Sequence, residues 1–186
     1  MGANASGEST ALMLDVVRLL VSQNVEYTII GAMAVAVHGV VRASVDADAL
    51  VNVSLERLEQ LGEQLTAQGL QMELRRGDPF DPIPAILIVR DQYENRVDLL
   101  VGIRGLDPDI HRRAITVDVA EFGTALKFAS REDLIAMKLF AGGPIDLRDA
   151  ERLVAVAGEA LDLELLHRLT KRFGRDAEVN LKKLLP

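Results

Sequence analysis

The chain has no cysteine among its 186 residues. That excludes a disulfide framework and a thiolate metal centre, and it suits a reducing cytoplasm. Aromatic residues make up only 4% against 49% hydrophobic residues in all, so the core is aliphatic, and neither a disordered nor a fibrous chain fits. No apolar run is long enough to span a bilayer. The opening residues lack the basic start and apolar stretch of a secretory signal, and residues 1–9 read as a disordered tail. Basic residues are outnumbered, 21 Lys and Arg to 28 Asp and Glu, for a formal net charge of −7. This argues against sequence-independent adhesion to nucleic acid, which depends on neutralising phosphates. One basic stretch, Leu166 to Arg175 with Lys182 and Lys183 beyond it, reads either as a local RNA contact or as the solvated faces of amphipathic helices. His38, His111 and His167 have no metal-ligand spacing, no Ser–His–Asp set can be argued, and the segment after Gly31 lacks the lysine and spacing of a P-loop.

Against these absences stands one dense stretch, from Gly31 to Val51. An apolar strand, Tyr27 to Ile30, runs into Gly31. A short small-residue helix and a loop with Gly39 follow, and a second strand then carries Asp46 and Asp48. Side chains alternate along a strand, so these two carboxylates share a face, roughly 6.6 Å apart along the chain. Like charges beside an apolar sheet need a partner, and a hard divalent cation is the usual one, held by one or two carboxylates and the phosphates of a substrate. A solvated strand end is the alternative. Downstream, Asn95-Arg-Val-Asp98-Leu-Leu-Val is another apolar strand with one acid. On a neighbouring strand, about 4.8 Å away, Asp98 would complete a metal cage; alone, it would be an edge-strand carboxylate facing water. The turn at Gly31 presents backbone N–H groups suited to an anion.

The combination Gly31-Ala32, Arg42-x-Ser44-x-Asp46-x-Asp48 and Asp98 resembles the nucleotidyltransferase (polymerase β-like) superfamily, and within it the AbiEii-type nucleotidyltransferases of toxin–antitoxin pairs. The likeness spans residues 25 to 155. It continues through Asp133-Leu-Ile-Ala-Met-Lys138-Leu and Ile145-Asp146-Leu-Arg-Asp149. Ala32 departs from the family's second Gly or Ser, and Ile145 from its Lys. The resemblance implies a mixed-sheet α/β (α+β) nucleotidyltransferase fold flanked by helices, with a C-terminal helical region. It also implies transfer of an NMP from an NTP to an acceptor hydroxyl in a toxin-like role, with RNA (a tRNA 3′ end) as acceptor and a cognate antitoxin as partner; a protein side chain or a small molecule such as an antibiotic is the alternative acceptor.

Under that resemblance Asp46, Asp48 and Asp98 hold Mg²⁺ or Mn²⁺ and are catalytic together with Lys138. Gly31, Ala32, Arg42, Ser44, Lys138 and Asp146 sit at the nucleotide. Each has a plainer reading. Gly31 would serve any strand-to-helix turn, Arg42 would brace the acids or form a surface ion pair, and Ser44 would hold its loop. Lys138 would snorkel to water, and Asp146 would cap a helix. A nucleotide-binding module without catalysis, or a metal-dependent phosphodiesterase using the same acids, are the rival functions.

For the rest of the chain, apolar spacing predicts a first helix over residues 10–23 capped by Ser9 or Thr10. Strands are expected over 25–30, 47–53, 70–75, 85–89, 96–103, 114–119 and 125–128. A helix opens at Ser54, with Leu55, Leu58, Leu61 and Leu65 inward, and ends at Gly69. Residues 90–95 read as a hairpin turn and the proline-rich 77–84 as an irregular loop. Ser130 caps a helix through Phe140, and Gly142-Gly-Pro144 breaks it. Helices over 146–157, 163–173 and 176–185 follow. The expected organisation is a tail (1–9), a nucleotidyltransferase core (10–129) and a helical region (130–186).

Overall fold

A computed structural model describes residue 3 and residues 5–119 and 124–185. Of the expected tail, residues 1, 2 and 4 lie outside the described residues. The residues form two compact units, 1–33 with 43–103 and 34–42 with 104–186.

The first unit is built on β1 (Tyr27–Ile30), β2 (Asp46–Val51), β3 (Gln71–Arg76), β4 (Ala85–Arg90) and β5 (Arg96–Leu100). Their order is β3-β4-β5-β2-β1. All pairs are antiparallel except β2 with β5, which is parallel. Parallel neighbours need a long crossover, and the α3–β3–β4 segment supplies it. Helices α1 (Ser9–Ser22) and α3 (Leu55–Ala67) pack on this sheet, α1 against β2 and β5, α3 against β3 and β4. Leu12, Met13, Leu14, Val16, Val17 and Leu20 of α1 are all buried, so this helix is apolar over more of its circumference than a single stripe. The expected cap at Ser9 or Thr10 is absent. Glu8 is the N-cap and makes no side-chain cap bond, and Ser9 is the first helical residue, its hydroxyl engaged elsewhere, as described below. In α3, Ser54 accepts from Arg57 N, and Leu58, Leu61 and Leu65 are buried; Leu55, in the first turn, is 36% exposed.

Between β4 and β5 the expected turn is organised by Asp91, whose Oδ1 accepts from the amides of Tyr93 and Asn95. β5 ends at Leu100 and β2 at Val51, each short of its expected length. In the loop over 77–84, Asp78 Oδ1 accepts from Phe80 N and Asp81 N, while Gly77 N bonds Pro84 O.

Helix α2 (Gly31–Val37) is two turns long, and its residues from 34 onward group with the second unit. That unit holds the β6 (Ile115–Val119) and β7 (Thr124–Phe128) hairpin, the short α4 (Ile110–Arg113), and α5 (Arg131–Ala141), α6 (Pro144–Ala157), α7 (Leu163–Phe173) and α8 (Arg175–Leu184). Between β5 and β6, residues 110–113 form the single turn of α4. Ser130 caps α5 through Asp133 N, and Gly142 ends that helix at φ 66°. α6 begins at Pro144 rather than Asp146, since proline is preorganised for a first helical position and its missing N–H costs nothing there. Asp146 is therefore not an N-cap; it lies in the first turn. α5 packs against α6, α7 and α8, with Phe140 and Phe173 stacked 4.9 Å apart. No helix among the described residues is long and apolar enough to cross a membrane.

Candidate active site

The register of β2 with β5 decides where the acids go. Asp48 stands beside Asp98 and Asp46 beside Arg96. Residues two apart on a strand share a face, so these four side chains form one patch. The intervening Ala47, Val97, Ala49 and Leu99 are buried, none more than 2% exposed, as expected for the opposite face, under α1. One carboxylate oxygen from each of Asp46, Asp48 and Asp98 lies within 4.8 Å of the others. Three hard oxygen donors at that separation suit a divalent cation such as Mg²⁺.

Two neighbours hold the acids in place. The Ser44 hydroxyl donates to Asp46 Oδ1 at 2.9 Å, which orients that acid. Gly31 has φ 62°, and a Cβ there would overlap Asp48 Oδ2. Glycine is thus required twice, by the left-handed backbone and by the carboxylate packed against it. The absent side chain is the cradle that lets Asp48 sit where it does, and this is the observation that the residues fit a cation site. Ala32, which follows, is 5% exposed.

Arg96 is the residue the sequence reading overlooked. Its Nε donates to Asp98 Oδ1 at 2.7 Å and its Nη2 to Asp98 Oδ2 at 2.6 Å, a bidentate pair. The Asp98 hydrogen bond, helped by the charges of Asp98, Asp46 and Asp48, outweighs burial and holds the Arg96 guanidinium above its ordinary pKa. The strand alternation that groups Asp46 with Asp48 also groups Arg96 with Asp98, so the signal was present. Ser9 was also missed. Its hydroxyl donates to Val45 O at 2.7 Å and accepts from Arg96 N at 3.1 Å. Asn95 accepts from Glu8 N and donates to Ala5 O.

The other expected residues form a second cluster, in the second unit. Lys138 Nζ lies 2.7 Å from Asp146 Oδ1 and 3.2 Å from Asp149 Oδ2, and Arg42 Nε lies 3.0 Å from the same Asp149 oxygen. The Lys138 side chain is only 11% exposed and that of Asp149 2%. Arg42 thus pairs with a buried acid rather than forming a surface ion pair. Lys138 does not snorkel; its charge is neutralised inside the fold, where it ties α5 to α6. His38, assigned no role, lies 2.9 Å through Nε2 from Ala129 O.

No family model matches the sequence, and no curated protein matches it. Solved structures do. The antibiotic-resistance factor ANT(2″)-Ia matches with a TM-score of 0.60 at 17% identity, over 92% of this chain and 94% of that one. An antigenic nucleotidyltransferase-like protein from Paracoccidioides brasiliensis matches with a TM-score of 0.56 at 17% identity, over 98% and 90%. The lincosamide antibiotic adenylyltransferase LnuA, bound to lincomycin, matches with a TM-score of 0.52 at 15% identity, over 83% and 99%. The polypeptide described above has the nucleotidyltransferase fold.

Proposed function

We propose that the protein transfers a nucleoside monophosphate from an NTP to an acceptor hydroxyl. The observation that carries this is the convergence of Asp46, Asp48 and Asp98 on one face of the sheet, with Gly31 shaped to admit the Asp48 carboxylate. Asp46, Asp48 and Asp98 would hold Mg²⁺ or Mn²⁺, which supplies charge neutralisation for the phosphates and a more acidic acceptor hydroxyl. The protein's own part is positional. Ser44 fixes Asp46, Gly31 leaves room for Asp48, and β5 carries Asp98 into register with it. In the transfer the acceptor hydroxyl gives up its proton to solvent, its oxygen bonds to the α-phosphorus, the bond from that phosphorus to the pyrophosphate oxygen breaks, and pyrophosphate leaves.

For the acceptor, a small hydroxylated molecule is the reading that the fold matches favour. ANT(2″)-Ia has been seen with adenylyl-2″-tobramycin and LnuA with lincomycin, and this chain spans 94% and 99% of those proteins. A tRNA 3′ end in a toxin–antitoxin setting rests on the motif resemblance alone and is the second class to assay. Gly31 and Ala32 are assigned to the nucleotide. Nucleotide roles for Arg42, Lys138 and Asp146 belong to the same proposal, and on it Lys138→Ala raises the KM for NTP.

The test is to incubate the protein with each α-labelled NTP and Mg²⁺ or Mn²⁺, offering aminoglycosides and lincosamides in one arm, tRNA in a second and total protein in a third. Label on a small hydroxylated acceptor supports the reading. Label on tRNA moves the acceptor to RNA. Release of NMP with no acceptor would make the protein a phosphodiesterase, and binding of NTP without transfer would leave a nucleotide-binding module.

A further inference from the structure

The four-residue patch holds three carboxylates and one fixed cation, and that cation is already bound to a carboxylate assigned to the metal. We infer that Arg96 is an internal counter-cation, which a divalent ion must displace from Asp98 before all three acids can ligate it. This rests on the reading of Asp46, Asp48 and Asp98 as metal ligands.

Geometry supports the competition. Arg96 and Asp98 are two apart on β5, so no backbone movement brings them together or parts them. The guanidinium takes both oxygens of Asp98 at once, the strongest arrangement an arginine and a carboxylate make. Asp98 is 7% exposed, and a charge so buried is costly without a partner. The Arg96 side chain, by contrast, is 34% exposed, so the arginine has solvent to turn into and the aspartate does not. Its neighbour across β2 is Asp46, so the same cation lies beside a second proposed ligand. Arg96 thus keeps the acids folded together when no metal is bound, at the expense of metal affinity. It is a positioning residue, since it acts through Asp98.

The experiment measures Mn²⁺ binding by electron paramagnetic resonance, without nucleotide, for the wild type, Arg96→Met and Arg96→Lys. Thermal unfolding with and without Mn²⁺ runs in parallel. Removing one positive charge next to the acids should tighten Mn²⁺ binding about tenfold in Arg96→Met. That variant should melt lower without metal and gain more on adding Mn²⁺ than the wild type does. Arg96→Lys, which keeps the charge and loses the bidentate grip, should fall between. Equal or weaker Mn²⁺ binding in Arg96→Met, with the wild type binding, overturns the inference and leaves the metal reading standing. Should Arg96→Met not fold without metal, refolding in Mn²⁺ and the Arg96→Lys affinity decide; Arg96→Lys binding no more tightly than wild type overturns the inference. No Mn²⁺ binding by the wild type or any variant overturns the metal reading and this inference with it.

Discussion

Two clusters of charge can be set side by side. Asp46, Asp48, Asp98 and Arg96 carry three negative charges and one positive on the face of a sheet. Arg42, Lys138, Asp146 and Asp149 carry two of each, among helices. The second set balances itself, and its most buried member, Asp149, has two cations within 3.2 Å. Such a set has its charges paired within the polypeptide, and removing one member should disturb the fold around it. The first set sums to −2 over its four side chains, and its acids converge on a common point. Ser44 and Gly31 are set against two of those acids, and the residual negative charge is what the proposed cation would answer.

The sharpest way to break this comparison is to remove an acid from each side. Asp46→Ala or Asp48→Ala should lower nucleotidyl transfer about 10³-fold, as several kcal/mol of charge stabilisation goes with the metal, while circular dichroism and the melting temperature stay close to wild type. Asp149→Ala should do the reverse first. It strips Lys138 and Arg42 of a buried partner and should cost about 3–5 kcal/mol in urea unfolding. If Asp149→Ala folds normally, the second cluster is not framework and the contrast fails.

A smaller effect is expected at Gly31. Gly31→Ala places a methyl group in a left-handed conformation, at about 1–2 kcal/mol, and pushes against Asp48. Mn²⁺ titration should show weakened binding alongside the loss of stability. The smallest effect concerns Asp107, beside Arg113 and Arg172 in the second unit. Burial pushes its carboxyl up, but the Asp109 amide and the Arg113 side chain outweigh that and hold it below the usual carboxylate range. A folded pKa below the unfolded one stabilises the protein above the unfolded value, about 3.9, and that stability is lost as pH falls through the folded one. Thermal melts of wild type and Asp107→Asn should therefore differ at pH 6 and converge as pH drops below 4.

Much of this was legible in the residues because it depends on periods of two and 3.6. Alternation put Asp46 and Asp48 on one face, and the short run around Asp98 read as a neighbouring strand. Ser54 and Ser130 were visible as caps because each precedes an apolar helical pattern. What could not be read depends on register. Only the pairing of β2 with β5 sets Arg96 beside Asp46. Nothing local joins Asp149 to Arg42, 107 residues away. Asp146 reads as a cap only if Pro144 is a break, and Pro144 is instead the first helical residue. The contact of Gly31 with Asp48 is tertiary and leaves no local trace.

The hydroxyl of Ser9 has a consequence for how the protein can be handled. It clips together two strand ends, at Val45 and Arg96, one residue upstream of an acid and on the arginine that faces it. Trimming the chain to begin at residue 10 would look harmless on a hydropathy plot, yet it would spring that clip and let the two ends drift. An N-terminal tag belongs upstream of a spacer, and shortened versions should be judged by how well they bind manganese rather than by whether they express.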